Sequence, residues 1–252
     1  MDLHLIAYKL AENKSIMLPV MVCMDGFVLT HGIETVDIPE QAMVDSFLPP
    51  YIAPYKLDPA APVTMGPLVD PEYYTETRYA LQETHKKVLD MLPQITAEFA
   101  KTFGRKYNGL VEGYHLEGAE KVIVAIGSVC GTIKEVIDEA RAKGKKIGML
   151  KVSCLRPFPA QQIYDALKGA SKVAVIDRAL SLGSTAPLAS EVKAAFFGKK
   201  KAPSVISSFV VGLGGRDITK DSIREVIKLL NGRERNGEFI DLKPELLKES
   251  YE

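Results

Sequence analysis

The sequence predicts an α/β fold whose principal domain is a doubly wound parallel sheet. Three observations carry that expectation. Four short apolar runs rich in β-branched residues recur through the second half of the chain. Each is followed, after a break containing Gly, Pro or Ser, by a segment with apolar residues at helical spacing. A strand–helix series of this kind implies parallel strands joined by right-handed crossovers, with helices on both faces of the sheet.

The first unit is the strand Lys121–Ile126, a break at Gly127-Ser128, and a helix over Thr132–Lys143 marked by Ile133, Val136, Ile137 and Ala140. Gly144 follows as a C-terminal stop. The second is the strand Ile147–Val152, a Pro157/Pro159 turn, and a helix over Ala160–Lys168. The third is the strand Lys172–Ile176, a loop at 181–185, and a helix over Ala186–Phe197. The fourth is the strand Val205–Val211, a glycine-rich turn, and a helix over Lys220–Leu230 that Thr219 is placed to cap. These units define a domain from Ala119 to Gly232, with 233–252 as a tail.

The first half is less regular. Leu3–Glu12 reads as a helix, Met17–Met24 as a strand apolar on both faces, and Ile33–Ile38 as an edge strand. Residues 1–48 thus supply one strand, an edge strand and a short helix, too little to close a core. The expectation is that they are the end of a larger domain, completed by preceding chain or by a partner. Residues 49–118 read as a proline-rich arm, with six prolines from Pro49 to Pro67 before Pro71, and then a long helix over Tyr73–Phe103. Leu81, His85, Val88 and Leu92 mark one face of that helix, and Pro93 is expected to kink it.

Composition removes several classes of function. The 252 residues are 46% hydrophobic and 25% charged, with 32 basic and 32 acidic residues, so neither a nucleic-acid partner nor a polybasic membrane anchor is expected. No apolar run is long enough to span a bilayer, and the start of the chain has no signal-peptide pattern. Cys23, Cys130 and Cys154 are scattered without zinc or iron–sulfur spacing, which fits reduced thiols in a cytoplasm.

The candidate binding residues are Asp25, Gly26 and His31, after the first apolar strand, and Gly127 and Ser128, at a strand-to-helix turn. Ligands of α/β domains bind beyond strand ends, and helix N-termini favour anions. Each place reads first as an ordinary turn. Cys23 reads as packing inside its strand. Cys130 lies near a helix N-terminus, which would activate a thiol, but reads first as buried and inert. The loop Gly212–Asp217 lacks the spacing of a dinucleotide fingerprint and reads as a structural or subunit-docking turn, with Arg216 and Asp217 paired or facing a partner. Arg156 either meets a neighbouring subunit or forms an ion pair within its domain, and Lys199-Lys200-Lys201 is a solvated turn.

Four segments together resemble one family. They are Leu18-Pro-Val-Met-Val-Cys-Met-Asp-Gly-Phe27 continuing to His31, Asp45-Ser-Phe-Leu-Pro-Pro-Tyr51, the pair Val124-Ala-Ile-Gly-Ser128 and Leu155-Arg-Pro-Phe-Pro159, and Val211-Gly-Leu-Gly-Gly-Arg-Asp-Ile-Thr219. Their order and spacing resemble the alpha-type subunit of the pyruvate:ferredoxin oxidoreductases and related 2-oxoacid enzymes. The resemblance implies the end of a thiamine-diphosphate pyrimidine-binding domain followed by a transketolase C-terminal-like domain. It implies a complex that oxidatively decarboxylates a 2-oxoacid, pyruvate or a branched-chain one, to an acyl-coenzyme A while reducing ferredoxin. Thiamine diphosphate, magnesium and iron–sulfur clusters would be bound mainly by other chains, with coenzyme A as a substrate and the other subunits as partners. The family's Gly-Asp-Gly…Asn motif and iron–sulfur cysteine runs are absent from this sequence. No catalytic or metal-binding residue is therefore carried over, and this chain is expected to be structural, interface-forming and inactive alone. The alternative is a split or degenerate subunit serving only as an assembly module.

Overall fold

The computed structural model describes residues 1–250 and divides into two compact units that meet in sequence at Leu110/Val111.

The first unit is helical. α1 (Asp2–Ala11) buries Ile6 and Leu10. α2 (Val28–His31) is a single turn, and α3 (Gln41–Phe47) buries Phe47. α4 (Pro71–Phe103) is the long element. It begins where Asp70 Oδ1 accepts the Glu72 N–H at 3.1 Å, with Pro71 at the first position, and it ends at Gly104 in the left-handed region. α4 runs on through Pro93. α1 and α3 pack on it. The core is aromatic: Phe47 meets the Phe99 and Phe103 rings edge-on at 5.5 Å, and Phe99 and Phe103 lie 4.5 Å apart. Each such side chain contributes about 1.5–3 kcal/mol by leaving water. An ion-pair network closes the ends of the unit. Arg105 grips Asp2 in a two-point contact, Nε to Oδ2 at 2.6 Å and Nη2 to Oδ1 at 3.0 Å, and Tyr107 donates to the same carboxylate. Burial would raise the Asp2 pKa, but the bonds from Arg105 and Tyr107 outweigh it and hold the carboxyl below its ordinary value.

The strands expected at Met17–Met24 and Ile33–Ile38 do not form. Both stretches lie outside any helix or strand. Their sequences have β character, but this unit holds no strand for them to pair with among the described residues. A strand without a ladder partner gains no hydrogen bonds and buries neither face. Residues 31–38 are accordingly exposed throughout, as are Val20, Met21, Cys23 and Met24.

The second unit holds the parallel sheet. Its strands are β1 (Val111–Tyr114), β2 (Lys121–Ala125), β3 (Ile147–Val152), β4 (Lys172–Asp177), β5 (Val205–Val210) and β6 (Glu238–Phe239). Its helices are α5 (Val129–Ala142), α6 (Ala160–Leu167), α7 (Pro187–Ala194) and α8 (Lys220–Leu229). The strand order is β1-β3-β2-β4-β5-β6, with β2 to β6 parallel and β1 antiparallel to β3. Alternation along each strand sorts the side chains. Ile123, Met149, Ala174 and Phe209 face α5 and α8, while Val122, Leu150, Val173 and Val175 face α6 and α7. β1 and β6 add one strand at each edge of the four expected ones. Gly148 of β3 is needed where the neighbouring backbone crosses, because a Cβ there would stand 2.5 Å from the His115 carbonyl oxygen.

A fragment holding residues 111–247 should fold by itself, since both faces of its sheet are covered from within. In the full chain, limited proteolysis should cut first within 49–70. Early cleavage inside β2, or a fragment without cooperative thermal unfolding, would contradict this.

Candidate functional site

The doubly wound topology defines where a site can form in the second unit. β2 connects to β3 on one side and β4 connects to β5 on the other, so neighbouring β2 and β4 form a switch point. Gly127 and Ser128 lie at its carboxyl end. Gly127 adopts φ 83°, and Ser128 takes helical angles without a side-chain capping bond to α5. The loop after β4 and the turn after β5 sit at the same edge of the sheet. An open depression of about 620 Å³ is lined by Leu180 to Thr185, Asn236, Gly237 and Phe239. Across it, Thr185 Oγ1 donates to Asn236 Oδ1 at 3.0 Å.

Asp177 is a residue that sequence reasoning missed. It closes β4, is buried, and accepts the N–H groups of Leu188 at 2.8 Å and Ala189 at 3.1 Å through its two carboxylate oxygens. It thereby satisfies two open donors in the first turn of α7 and fixes that helix under the β4 loop. Burial raises its pKa, with the two N–H bonds pulling the other way. The only sequence signal was an acid at the end of an apolar strand, ten residues before Pro187.

The glycine-rich turn is structural in its geometry. Gly212, Gly214 and Gly215 all have positive φ, and a Cβ at Gly212 would stand 2.7 Å from the Ile218 side chain. Arg216 Nη1 donates to the Asp241 carbonyl, tying the turn to the segment after β6. Thr219 caps α8 as expected, exchanging bonds with Ser222 in a capping box.

Asp25, Gly26 and His31 belong to the first unit. They follow an exposed irregular segment and not a buried strand. The His31 ring is exposed and engaged locally, with Nδ1 2.7 Å from the Phe27 carbonyl and the Phe27 ring 5.1 Å away. Cys23 is exposed and not packed. Cys130 is buried, and burial pushes its thiol up to about 11, outweighing any activation by the α5 N-terminus. Arg156 pairs with Glu191 at 2.6 Å within its own unit. Lys199, Lys200 and Lys201 are exposed. Among the described residues no cluster of three or more His, Cys, Asp or Glu is placed to hold a metal, and no helix is long and apolar enough to cross a membrane.

These features define a doubly wound α/β module, and comparison with known proteins narrows the class. The family described as pyruvate:ferredoxin oxidoreductase core domain II matches residues 119–223. The family described as pyruvate flavodoxin/ferredoxin oxidoreductase, thiamine-diphosphate-binding, matches residues 1–96. The chain belongs to the pyruvate:ferredoxin oxidoreductase family. It is 44% identical to pyruvate synthase subunit PorA of Methanothermobacter thermautotrophicus, over 97% of this chain and 62% of that protein. It is 43% identical to the PorA of Thermotoga maritima, over 92% of this chain and 59% of that one. Ketoisovalerate oxidoreductase subunit VorA of Pyrococcus horikoshii is 35% identical over 88% of this chain and 56% of its own length. The chain thus spans about three fifths of the length of the curated relatives it matches.

Two outcomes test this geometry. Iodoacetamide at pH 8 should alkylate Cys23 in the native chain and leave Cys130 unmodified until unfolding; modification of Cys130 at the rate of Cys23 would contradict the burial. Replacing Asp177 by Ala should cost about 1–3 kcal/mol by stranding two N–H groups. An acid whose folded pKa is raised gives stability that is full below its unfolded value and lost as pH rises through the folded one. Asp177→Asn should therefore gain on the unsubstituted chain as pH rises from about 4. Urea midpoints measured across that range would refute this if the difference stayed constant.

Proposed function

We propose that this chain is part of a 2-oxoacid:ferredoxin oxidoreductase with pyruvate as its substrate. The complex would release carbon dioxide, join the acyl group to the thiol of coenzyme A, and pass the two remaining electrons to ferredoxin. The observation that carries this reading is 44% identity over 97% of the chain to a protein named a pyruvate synthase subunit. The relatives at 43–45% identity are named for pyruvate, while the ketoisovalerate oxidoreductase subunit stands at 35%, beside 36% for the pyruvate synthase subunit of the same organism. A degenerate assembly module is not favoured, because the relatives are named as enzyme subunits.

The residues of this chain do not form a cradle for thiamine diphosphate. His31 is engaged with Phe27, the Asp25–His31 stretch has no strand behind it, and no cluster of metal ligands is present among the described residues. No catalytic step is therefore assigned to them. The cofactor would supply the carbanion-stabilising chemistry, and the protein its orientation. In this proposal thiamine diphosphate, magnesium, the iron–sulfur clusters and most contacts to coenzyme A are held by residues beyond these, with other subunits as partners and ferredoxin as the acceptor, in the cytoplasm. This chain contributes scaffold and interface. The apolar stretch Leu18–Met24 would take its place as a strand in the completed thiamine-diphosphate-binding domain, covered on both faces.

Calorimetric titration of the purified chain with magnesium and thiamine diphosphate should show no binding. The chain purified with the other subunits of the oxidoreductase should support reduction of ferredoxin dependent on both pyruvate and coenzyme A. Micromolar cofactor binding by the isolated chain would refute the division of labour. An assembled complex that reduces ferredoxin with another 2-oxoacid and not with pyruvate would refute the substrate.

A further inference from the structure

The amino edge of the parallel sheet gathers positive charge that nothing in the second unit neutralises. Strands β2 to β5 begin there, and helices α5 to α8 end there. Hydrogen bonds tie the starting segments into one band. Lys146 donates to Glu120 at 2.9 Å, Lys121 and Lys172 both reach Asn231, the Ser204 N–H donates to the Ser171 carbonyl at 2.9 Å, and Lys199 donates to Gln161 at 3.0 Å. The band crosses β3, β2, β4 and β5, a span of about 15 Å. Lys143, Lys145, Lys200, Lys201, Lys228 and Arg233 are exposed on it, and none forms an ion pair among the described residues. Of the acids in and beside these turns, Glu120, Asp165 and Glu234 are each taken by a lysine, which leaves Glu117 and Glu225 against six cations.

Helix carbonyl ends attract basic residues at their last turn, which accounts for Lys143 and Lys228. It does not account for Lys199-Lys200-Lys201, which lie beyond the end of α7 at Ala194, or for Lys145 and Lys146 beside β3. Nor does it account for Phe197. Phe196 turns inward against Tyr164, with ring centroids 5.6 Å apart, while Phe197 beside it is 91% exposed just ahead of the three lysines. A ring held out in water among unpaired cations is an anchor without a partner. The charge is local, because the whole chain balances at 32 basic and 32 acidic residues. Residues 111–252 hold 23 basic and 18 acidic residues, against 9 and 14 in residues 1–110.

We propose that this lysine edge captures the ferredoxin that accepts the electrons, an inference that rests on the oxidoreductase reading above. The carrier's chemistry complements the edge. A cluster held by four cysteine thiolates is anionic, and each electron it accepts adds one negative charge. A carrier must also arrive and leave within every turnover. Lysines stay hydrated on flexible stems, so they speed encounter more than they hold a complex. Redox complexes are accordingly small and weak, and the single ring of Phe197 suits a contact that has to open again. The role of the edge is capture and steering; the cluster that hands over the electrons belongs to another subunit.

The test uses the assembled oxidoreductase with pyruvate and coenzyme A, and two acceptors, ferredoxin and methyl viologen. In Lys199→Glu/Lys200→Glu/Lys201→Glu the KM for ferredoxin should rise about tenfold at low salt and lose most of its salt dependence. The kcat at saturating ferredoxin and the rate with methyl viologen should stay as in the unsubstituted complex. Phe197→Ala should raise the same KM without changing its salt dependence. A KM for ferredoxin unmoved by the triple substitution, with both acceptors still reduced, would overturn the proposal and leave the oxidoreductase reading standing. An unsubstituted complex that reduces neither acceptor would overturn both. If the triple variant fails to assemble, carbodiimide cross-linking of the unsubstituted complex decides. Amide bonds from ferredoxin carboxylates to Lys143, Lys145 or Lys199–Lys201 are expected, and cross-links confined to other surfaces would refute the capture site.

Discussion

The structure of the second unit depends on one constraint: a parallel sheet must be covered on both faces. Its four central strands are apolar on both sides, and their connections must cross over because parallel strands cannot be joined by hairpins. α5 and α8 close one face, and α6 and α7 close the other. Everything else follows from that arrangement. The crossovers put the loops that follow β2 to β6 on one edge, and the switch point between β2 and β4 falls there. Asp177 shows how the two levels join, since its buried carboxylate ends a core strand and fixes the helix beneath the β4 loop.

Much of this was legible in the sequence because the signal was local and repeated. Runs such as Lys172–Ile176 and helices such as the one after Thr219 need only near neighbours and a cap to be recognised, and they appear within a few residues of where they were expected. β1 was not legible, because Val111-Glu-Gly-Tyr is short and interrupted by Gly113, and it pairs only through its register with β3. β6, at two residues, carries no pattern at all. Asp177 was missed for a different reason: what singles it out is burial and two N–H groups eleven and twelve residues away. For Cys130 a helix N-terminus lowers a thiol pKa and burial raises it; the sequence favoured the buried, inert thiol, and the packing shows that burial wins.

The first unit fails the same covering constraint in an instructive way. Leu18–Met24 and Ile33–Ile38 have strand sequences, yet neither forms a strand, because pairing is a property of two segments and not of one. What remains is stabilised by other means: the Phe47, Phe99 and Phe103 cluster and the grip of Arg105 on Asp2. A unit held by helices and a part-buried ion pair, with its β-type segments facing water, suits a piece of a larger assembly. That is the form the proposed scaffold and interface role calls for.

Amide hydrogen exchange across Leu18–Met24 tests this most directly, comparing the isolated chain with the assembled oxidoreductase. The account predicts exchange near the unprotected rate in the isolated chain and strong protection in the complex, where the stretch has become a covered strand. Slow exchange in the isolated chain, or no gain of protection on assembly, would contradict it.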